Sequence, residues 1–126
     1  MLLLKHKHTK PRRRQDMTST KEYNGINELA IARQRGVPAD EYTEGIDGKE
    51  VLKVKFQTGG TATTERNGVF IEDLIILATL KLESYNKEFP CRENSIAITK
   101  LEESLQWLTS RKADREARGV YGTEQK

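Results

Sequence analysis

The chain has 126 residues, which is room for one compact domain and little more. Charged residues make up 33% and hydrophobic ones 35%, and the mean hydropathy is −0.75, so a chain this polar is expected to complete its core by oligomerising. No apolar run approaches a membrane span, Met1-Leu2-Leu3-Leu4 is too short for a signal-peptide core, and a lone Cys91 allows no internal disulfide, all of which point to a reducing cytoplasm.

The net charge of +3 hides an uneven distribution. Residues 1–16 carry six basic side chains (Lys5, Lys7, Lys10, Arg12, Arg13, Arg14) against Asp16, a net +5. The rest holds 16 basic and 18 acidic side chains, a net −2, so no general basic face for nucleic acid is expected there. Residues 1–16 read as a basic, disordered, dispensable tail or as sequence upstream of a start at Met17. Both histidines, His6 and His8, fall in it and suggest no chemistry.

Residues 17–48 are polar, with a short helix over Gly25–Arg35 stopped by Gly36-Val37-Pro38. Asp47-Gly48 signals a turn. Within residues 49–66, Val51–Gln57 reads as a strand in which Val54 and Phe56 alternate with Lys53, Lys55 and Gln57. Gly59-Gly60 breaks it, and the β-prone run Thr61–Thr64 is expected to pair back as a second strand, before Asn67-Gly68 punctuates the chain again. Residues 67–120 then switch to helical spacing. Over Phe70–Tyr85, a face of Ile71, Leu74, Ile75, Ala78, Leu82 and Tyr85 predicts the first helix, with Glu72 and Asp73 where the helix dipole favours acids. Asn86–Pro90 connects it to a longer helix over Arg92–Arg118, whose stripe is Ala97, Leu101, Leu105 and Leu108 and whose stop is Gly119. Residues 121–126 are left as a C-terminal tail. The fold class is therefore α+β: a small antiparallel sheet plus a long antiparallel helical hairpin, oligomeric. The longer helix outruns the shorter by roughly 16 Å at about 1.5 Å per residue, and the overhang carries Trp107.

Arg111, Arg115 and Arg118 follow at i, i+4 and i+7 and project from one face of the second helix. Their planar forks of donors suit a diphosphate, although the spacing taken alone fits a solvated face balanced by Asp114 and Glu116 better. At the hairpin's other end, Tyr85 could stack on a base and Asn94 could read an adenine edge, or they could be a core-edge ring and a helix cap. The two groups meet only if two hairpins run antiparallel. Nothing proposes an enzyme, a metal site or a cofactor: the folded part has no histidine, nucleophile elbow or phosphate-binding glycine run, and Glu102-Glu103 beside Lys100 read as solvated surface.

The wording of the hairpin is more specific than its periodicity. Asn67-Gly68-Val69, Glu72-Asp73-Leu74-Ile75, Phe89-Pro90-Cys91-Arg92-Glu93-Asn94, Thr99-Lys100-Leu101-Glu102-Glu103, Trp107-Leu108, Arg111, Arg115, Arg118-Gly119-Val120 and Gly122-Thr123 resemble the phage Thoeris anti-defence sponge family. Its hairpin domain is shared with anti-CBASS cyclic-nucleotide sponges, and Val54-Lys55-Phe56-Gln57 resembles the strand placed before it. The resemblance covers roughly residues 50–123. It implies a non-enzymatic protein of the host cytoplasm, without cofactor, that sequesters a glycocyclic ADP-ribose signal as a homo-oligomer, dimer or hexamer. It further implies ligand contacts at Tyr85, Asn94, Arg111, Arg115 and Arg118. The family has Phe where this chain has Tyr85, with Phe89 a competing ring, and an acidic residue is common where Tyr121 stands. The alternatives are a sponge for CBASS cyclic di- or trinucleotides and a small nucleic-acid-binding hairpin.

Overall fold

The computed structural model describes residues 23–36 and 40–126, and residues 12–17 through their backbone. Residues 1–11, with both histidines, and the Val37-Pro38 helix stop lie outside the described residues. Two compact units divide the chain, one up to Phe56 and the other Gln57–Lys126.

The first unit is a three-stranded sheet with one helix: β1 (Arg12–Met17), α1 (Gly25–Arg35), β2 (Glu41–Ile46) and β3 (Lys49–Lys55), in the order β1-β2-β3. The expected helix forms over the residues read for it. Asn24 caps it, its Oδ1 accepting from the N–H groups of Ile26 (3.0 Å) and Asn27 (3.3 Å), and Gly36 ends it at φ 93°. α1 buries no residue, in keeping with its thin apolar face. β2 and β3 are antiparallel, with Ile46 opposite Lys49. Asp47 and Gly48, at φ 51° and 76°, make the two-residue turn whose positive φ values match the twist of paired strands. Val54 is buried between exposed Lys53 and Lys55, as the alternation predicts.

Two expectations are corrected here. Residues 12–16, read as part of a disordered tail, belong to β1, which pairs in parallel with β2 in the register Arg12↔Tyr42 to Met17↔Ile46. Charge density speaks for solvation of side chains, whereas strand pairing uses the main chain and here joins segments about thirty residues apart. A parallel pair needs a long crossover, and residues 18–40 with α1 supply it. The sheet is accordingly mixed rather than purely antiparallel. Thr61–Thr64, expected as the partner of β3, is a turn instead: the N–H groups of Thr63 and Thr64 donate to Gly60 O at 3.1 and 2.8 Å. The two-residue Asp-Gly turn had already given β3 its partner in β2, a closure with less entropy to lose than a longer loop.

The second unit is a hairpin of α2 (Ile71–Glu88) and α3 (Arg92–Ala117). α2 runs three residues beyond Tyr85, so the connector shrinks to Phe89-Pro90-Cys91. Pro90 acts on the residue before it, Phe89, and leaves Asn86–Glu88 free to stay helical. Asp73 turns back to accept from Phe70 N–H at 2.9 Å, and it is also the ion-pair partner of Arg66, which lies 4.1 Å over the Phe70 ring. Ala97, Leu101, Leu105 and Leu108 are each half-buried, as the α3 stripe predicts. On α2, Leu74, Ile75 and Leu82 are half-buried, while Ile71, Ala78 and Tyr85 of the expected face are exposed and Thr79 is the buried residue. At 26 residues against 18, α3 outruns α2 by about 12 Å rather than 16, because α2 is longer and α3 slightly shorter than their patterns predict. None of the described helices is long and apolar enough to cross a membrane.

Segments flanking the hairpin close its open end. Gln57 and Asn67 clamp the loop before α2: Gln57 N–H donates to Val69 O (2.9 Å), Asn67 N–H to Gln57 Oε1 (2.8 Å) and Thr58 N–H to Asn67 Oδ1 (2.9 Å). The loop then meets the chain leaving α3, where Ala62 N–H donates to Gly122 O at 2.9 Å. A Cβ on Gly60 would stand 2.1 Å from that same oxygen, which is main chain and cannot swing away. Gly60→Ala is therefore expected to cost about 1–3 kcal/mol and to lower the thermal midpoint by several degrees. Gly25→Ala, which meets nothing within 4 Å, is the control that should leave the melt in place; equal midpoints for the two variants would show that this contact is not needed.

Candidate functional site

Each of the five expected contact residues lies on the hairpin, and they fall at its two ends. Tyr85 stands in the last turn of α2 with its ring exposed and Lys81 Nζ 5.0 Å from the ring centre. Asn94 is the third residue of α3 and is half-buried. It is not the helix cap: Cys91 takes that place, its Sγ accepting from Asn94 N–H at 3.4 Å, which leaves the Asn94 amide group unused by the cap. Phe89, the alternative ring, is the more exposed of the two aromatics.

What holds this end together is Asn86, which the sequence offered only as part of a connector. Its Oδ1 accepts from Cys91 N–H at 3.0 Å and its Nδ2 donates to Ser95 Oγ at 3.2 Å. One amide side chain thus ties the last turn of α2 to the first turn of α3, beside both Tyr85 and Asn94. An asparagine a few residues before an X-Pro turn is the available signal, since its short amide reaches main chain across a tight connection. Glu83, Asn86, Lys87, Ser95 and Ile98 line a shallow, open depression next to this tie.

Arg111, Arg115 and Arg118 share one end of α3 but not one environment. Arg111 is exposed, and among the described residues its side chain has no hydrogen-bond or ion-pair partner. Arg115 is 8% exposed, and its Nη2 donates to the main-chain oxygens of Val120 (3.1 Å), Thr123 (3.0 Å) and Gln125 (2.6 Å). Its Nε and Nη1 find no acceptor among the described residues. Arg118 is exposed and divides its donors between Asp114 Oδ2 (3.0 Å) and Lys126 O (2.6 Å). The expected balance of this face by Asp114 and Glu116 is met in part: Asp114 pairs with Arg118, and Arg115 turns to main-chain carbonyls instead. Residues 111–118 hold four basic side chains against two acidic ones, so this end keeps a positive excess.

The bend of the chain at Gly119 makes that arrangement possible. Gly119, at φ 74°, donates its N–H to Glu116 O (3.0 Å), and Val120 N–H donates to Arg115 O (3.0 Å). This pair of bonds reverses the chain at a helix end, and the left-handed residue it requires is a glycine. The reversed chain then passes over Arg115. Tyr121, in that segment, is exposed with Lys112 Nζ 5.2 Å from its ring centre.

A single chain does not bring the two ends together. Asn94 and Arg111 are separated by some seventeen residues of continuous helix, roughly 25 Å at about 1.5 Å per residue. Glu102 and Glu103 lie on the exposed side of α3, with Lys100 Nζ 3.4 Å from Glu103 Oε1, the solvated pairing expected of them.

Residues 48–113 match the family described as Acb2/Tad1, hairpin domain, a span that includes Tyr85, Asn94 and Arg111 and stops short of Arg115 and Arg118. A protein of Bacillus phage SBSphiJ7 named "Thoeris anti-defense 1" is 50% identical over 78 residues, which is 61% of this chain and 55% of that protein. The chain thus spans about half the length of the curated relative it matches. With more than half its residues inside the matched domain, and with the two-helix hairpin that the domain is named for, the chain belongs to the Acb2/Tad1 hairpin family.

Proposed function

We propose that this protein counters phage defence in the host cytoplasm by binding and sequestering a cyclic nucleotide signal of the glycocyclic ADP-ribose type, without degrading it. The observation that carries the reading is the arginine end of α3: Arg111 is unpartnered among the described residues, and Arg115 is buried with two of its three nitrogens unused. A buried donor without an acceptor is costly, and an oxyanion is the partner that repays it best. The name of the phage relative supplies the biological setting.

In this reading the binding unit is at least a dimer. Two antiparallel hairpins would set the arginines of one copy against Tyr85 and Asn94 of the other, so that the diphosphate and the base are held by different chains. The apolar surface of the hairpin supports such a pairing: Leu77 is 65% and Trp107 75% exposed in the single chain, with Ile76 and Leu80 exposed beside them. Val54 is the one buried hydrophobic among the described residues, and a chain of this size with so little covered needs a partner surface.

Three outcomes are expected. The purified protein, loaded with glycocyclic ADP-ribose, freed of unbound ligand and heat-denatured, releases the intact molecule; recovery of a ring-opened product under excess ligand would make it an enzyme. Arg111→Ala weakens capture by roughly ten- to a hundredfold in calorimetry with an unchanged melt, whereas Arg115→Ala loses both affinity and thermal stability, because it also ties down the following segment. Unchanged binding by a folded Arg111→Ala protein removes the arginine site. Light scattering at micromolar concentration gives a multiple of the 14.4 kDa chain mass, and a monomer with a normal melt overturns the two-chain site.

A further inference from the structure

The segment after α3 is held in two different ways along its length. Val120–Thr123 is anchored to the rest of the unit: Val120 N–H donates to Arg115 O, Thr123 Oγ1 donates to Val120 O at 2.6 Å, and Gly122 O accepts from Ala62 N–H against Gly60. Glu124–Lys126 has less. Its bonds to the helix are Gln125 O to Arg115 and Lys126 O to Arg118, both 2.6 Å, and within the segment Gln125 N–H donates to Thr123 Oγ1 at 3.2 Å.

The Nη2 donors of Arg115 are oversubscribed. Its Nη2 carries two hydrogens, and three carbonyls lie within 3.1 Å of it, so one of the three bonds is shared. Carbonyl oxygens carry only partial charge. The carboxylate at hand, Asp114, is already bonded to Arg118. Gln125 O therefore stands where a phosphate oxygen would be held more strongly, and giving up the shared bond costs less than a full hydrogen bond, while Lys126 O meets Arg118 at an exposed position where water already competes.

We infer that Glu124–Lys126 is a displaceable strap across the arginine face: an incoming diphosphate takes the Arg115 and Arg118 donors now given to Gln125 and Lys126, while Val120–Thr123 stays docked. This rests on the arginine site proposed above and adds a competitor to it. The strap lowers the apparent affinity by the fraction of time it is closed, and it keeps one nitrogen on each of two guanidinium groups occupied when no ligand is present.

Amide exchange measured by NMR on the full chain tests this, with inorganic pyrophosphate and glycocyclic ADP-ribose as separate probes. Saturation with either should lower the protection of Gln125 and leave Val120 and Thr123 protected. A chain ending at Thr123 with its C-terminus amidated, so that no new carboxylate faces Arg115, and checked by its melt, should bind either probe about two- to tenfold more tightly. Bound probe with Gln125 protection unchanged or raised overturns the strap, as does equal or weaker binding by the shortened chain, and both leave the sponge reading standing. If pyrophosphate loosens Gln125 and glycocyclic ADP-ribose does not bind, the strap stands and the proposed ligand falls. Binding of neither probe removes both.

Discussion

α3 has 26 residues and α2 has 18, so about two turns of α3 have no helical neighbour within the hairpin. Those turns carry Arg111, Arg115 and Arg118, and everything at that end of the molecule is a response to their exposed length. The loop before α2, clamped by Gln57 and Asn67, reaches the chain leaving α3 through Ala62 and Gly122. That chain reverses at Gly119 and lays its carbonyls on Arg115. A long positively charged helix end, with its carbonyl-rich terminus, is thereby covered by main-chain oxygen rather than by apolar side chains. An end of this kind is suited to exchanging one set of oxygens for another.

The opposite end is built on a different economy. Three residues turn the chain, and Asn86 fixes the turn with one side chain by bonding Cys91 and Ser95. Because Cys91 caps α3, Asn94 is spared that task. Rigidity at this end comes from few, local bonds, and it falls beside the residues proposed to hold a base. The separation of roughly 25 Å between the ends is a property of a single continuous helix and cannot be relaxed by loop movement. Any ligand contacting both ends must therefore be held by two chains, and the exposed apolar surface at Leu77, Leu80 and Trp107 is consistent with that requirement.

Much of the architecture is readable from local chemistry. Gly25–Arg35 is bracketed by an asparagine cap and a glycine stop, and the Asp47-Gly48 turn, the Val54 alternation and the Leu101–Leu105–Leu108 stripe all appear where their patterns put them. The errors share a cause. The partner of β3, the membership of β1 in the sheet and the true end of α2 depend on which segments meet, and pattern within a window does not carry that information. Thr61–Thr64 has strand-forming residues and becomes a turn, its main-chain donors going to Gly60 and Gly122 instead of β3.

The sequence by itself determined the hairpin, its unequal helices and the three arginines on one face, because helical periodicity, caps and stops act within a few residues of each other. Family resemblance added the identity of the domain from the same residues. Only the tertiary structure decided what each arginine does. Among the described residues Arg111 has no partner, Arg115 is buried under carbonyls and Arg118 is shared between Asp114 and Lys126, although their spacing makes them equivalent. The difference arises because the chain reverses at Gly119 and returns over the helix, a long-range consequence of one left-handed residue that no helical-face diagram contains.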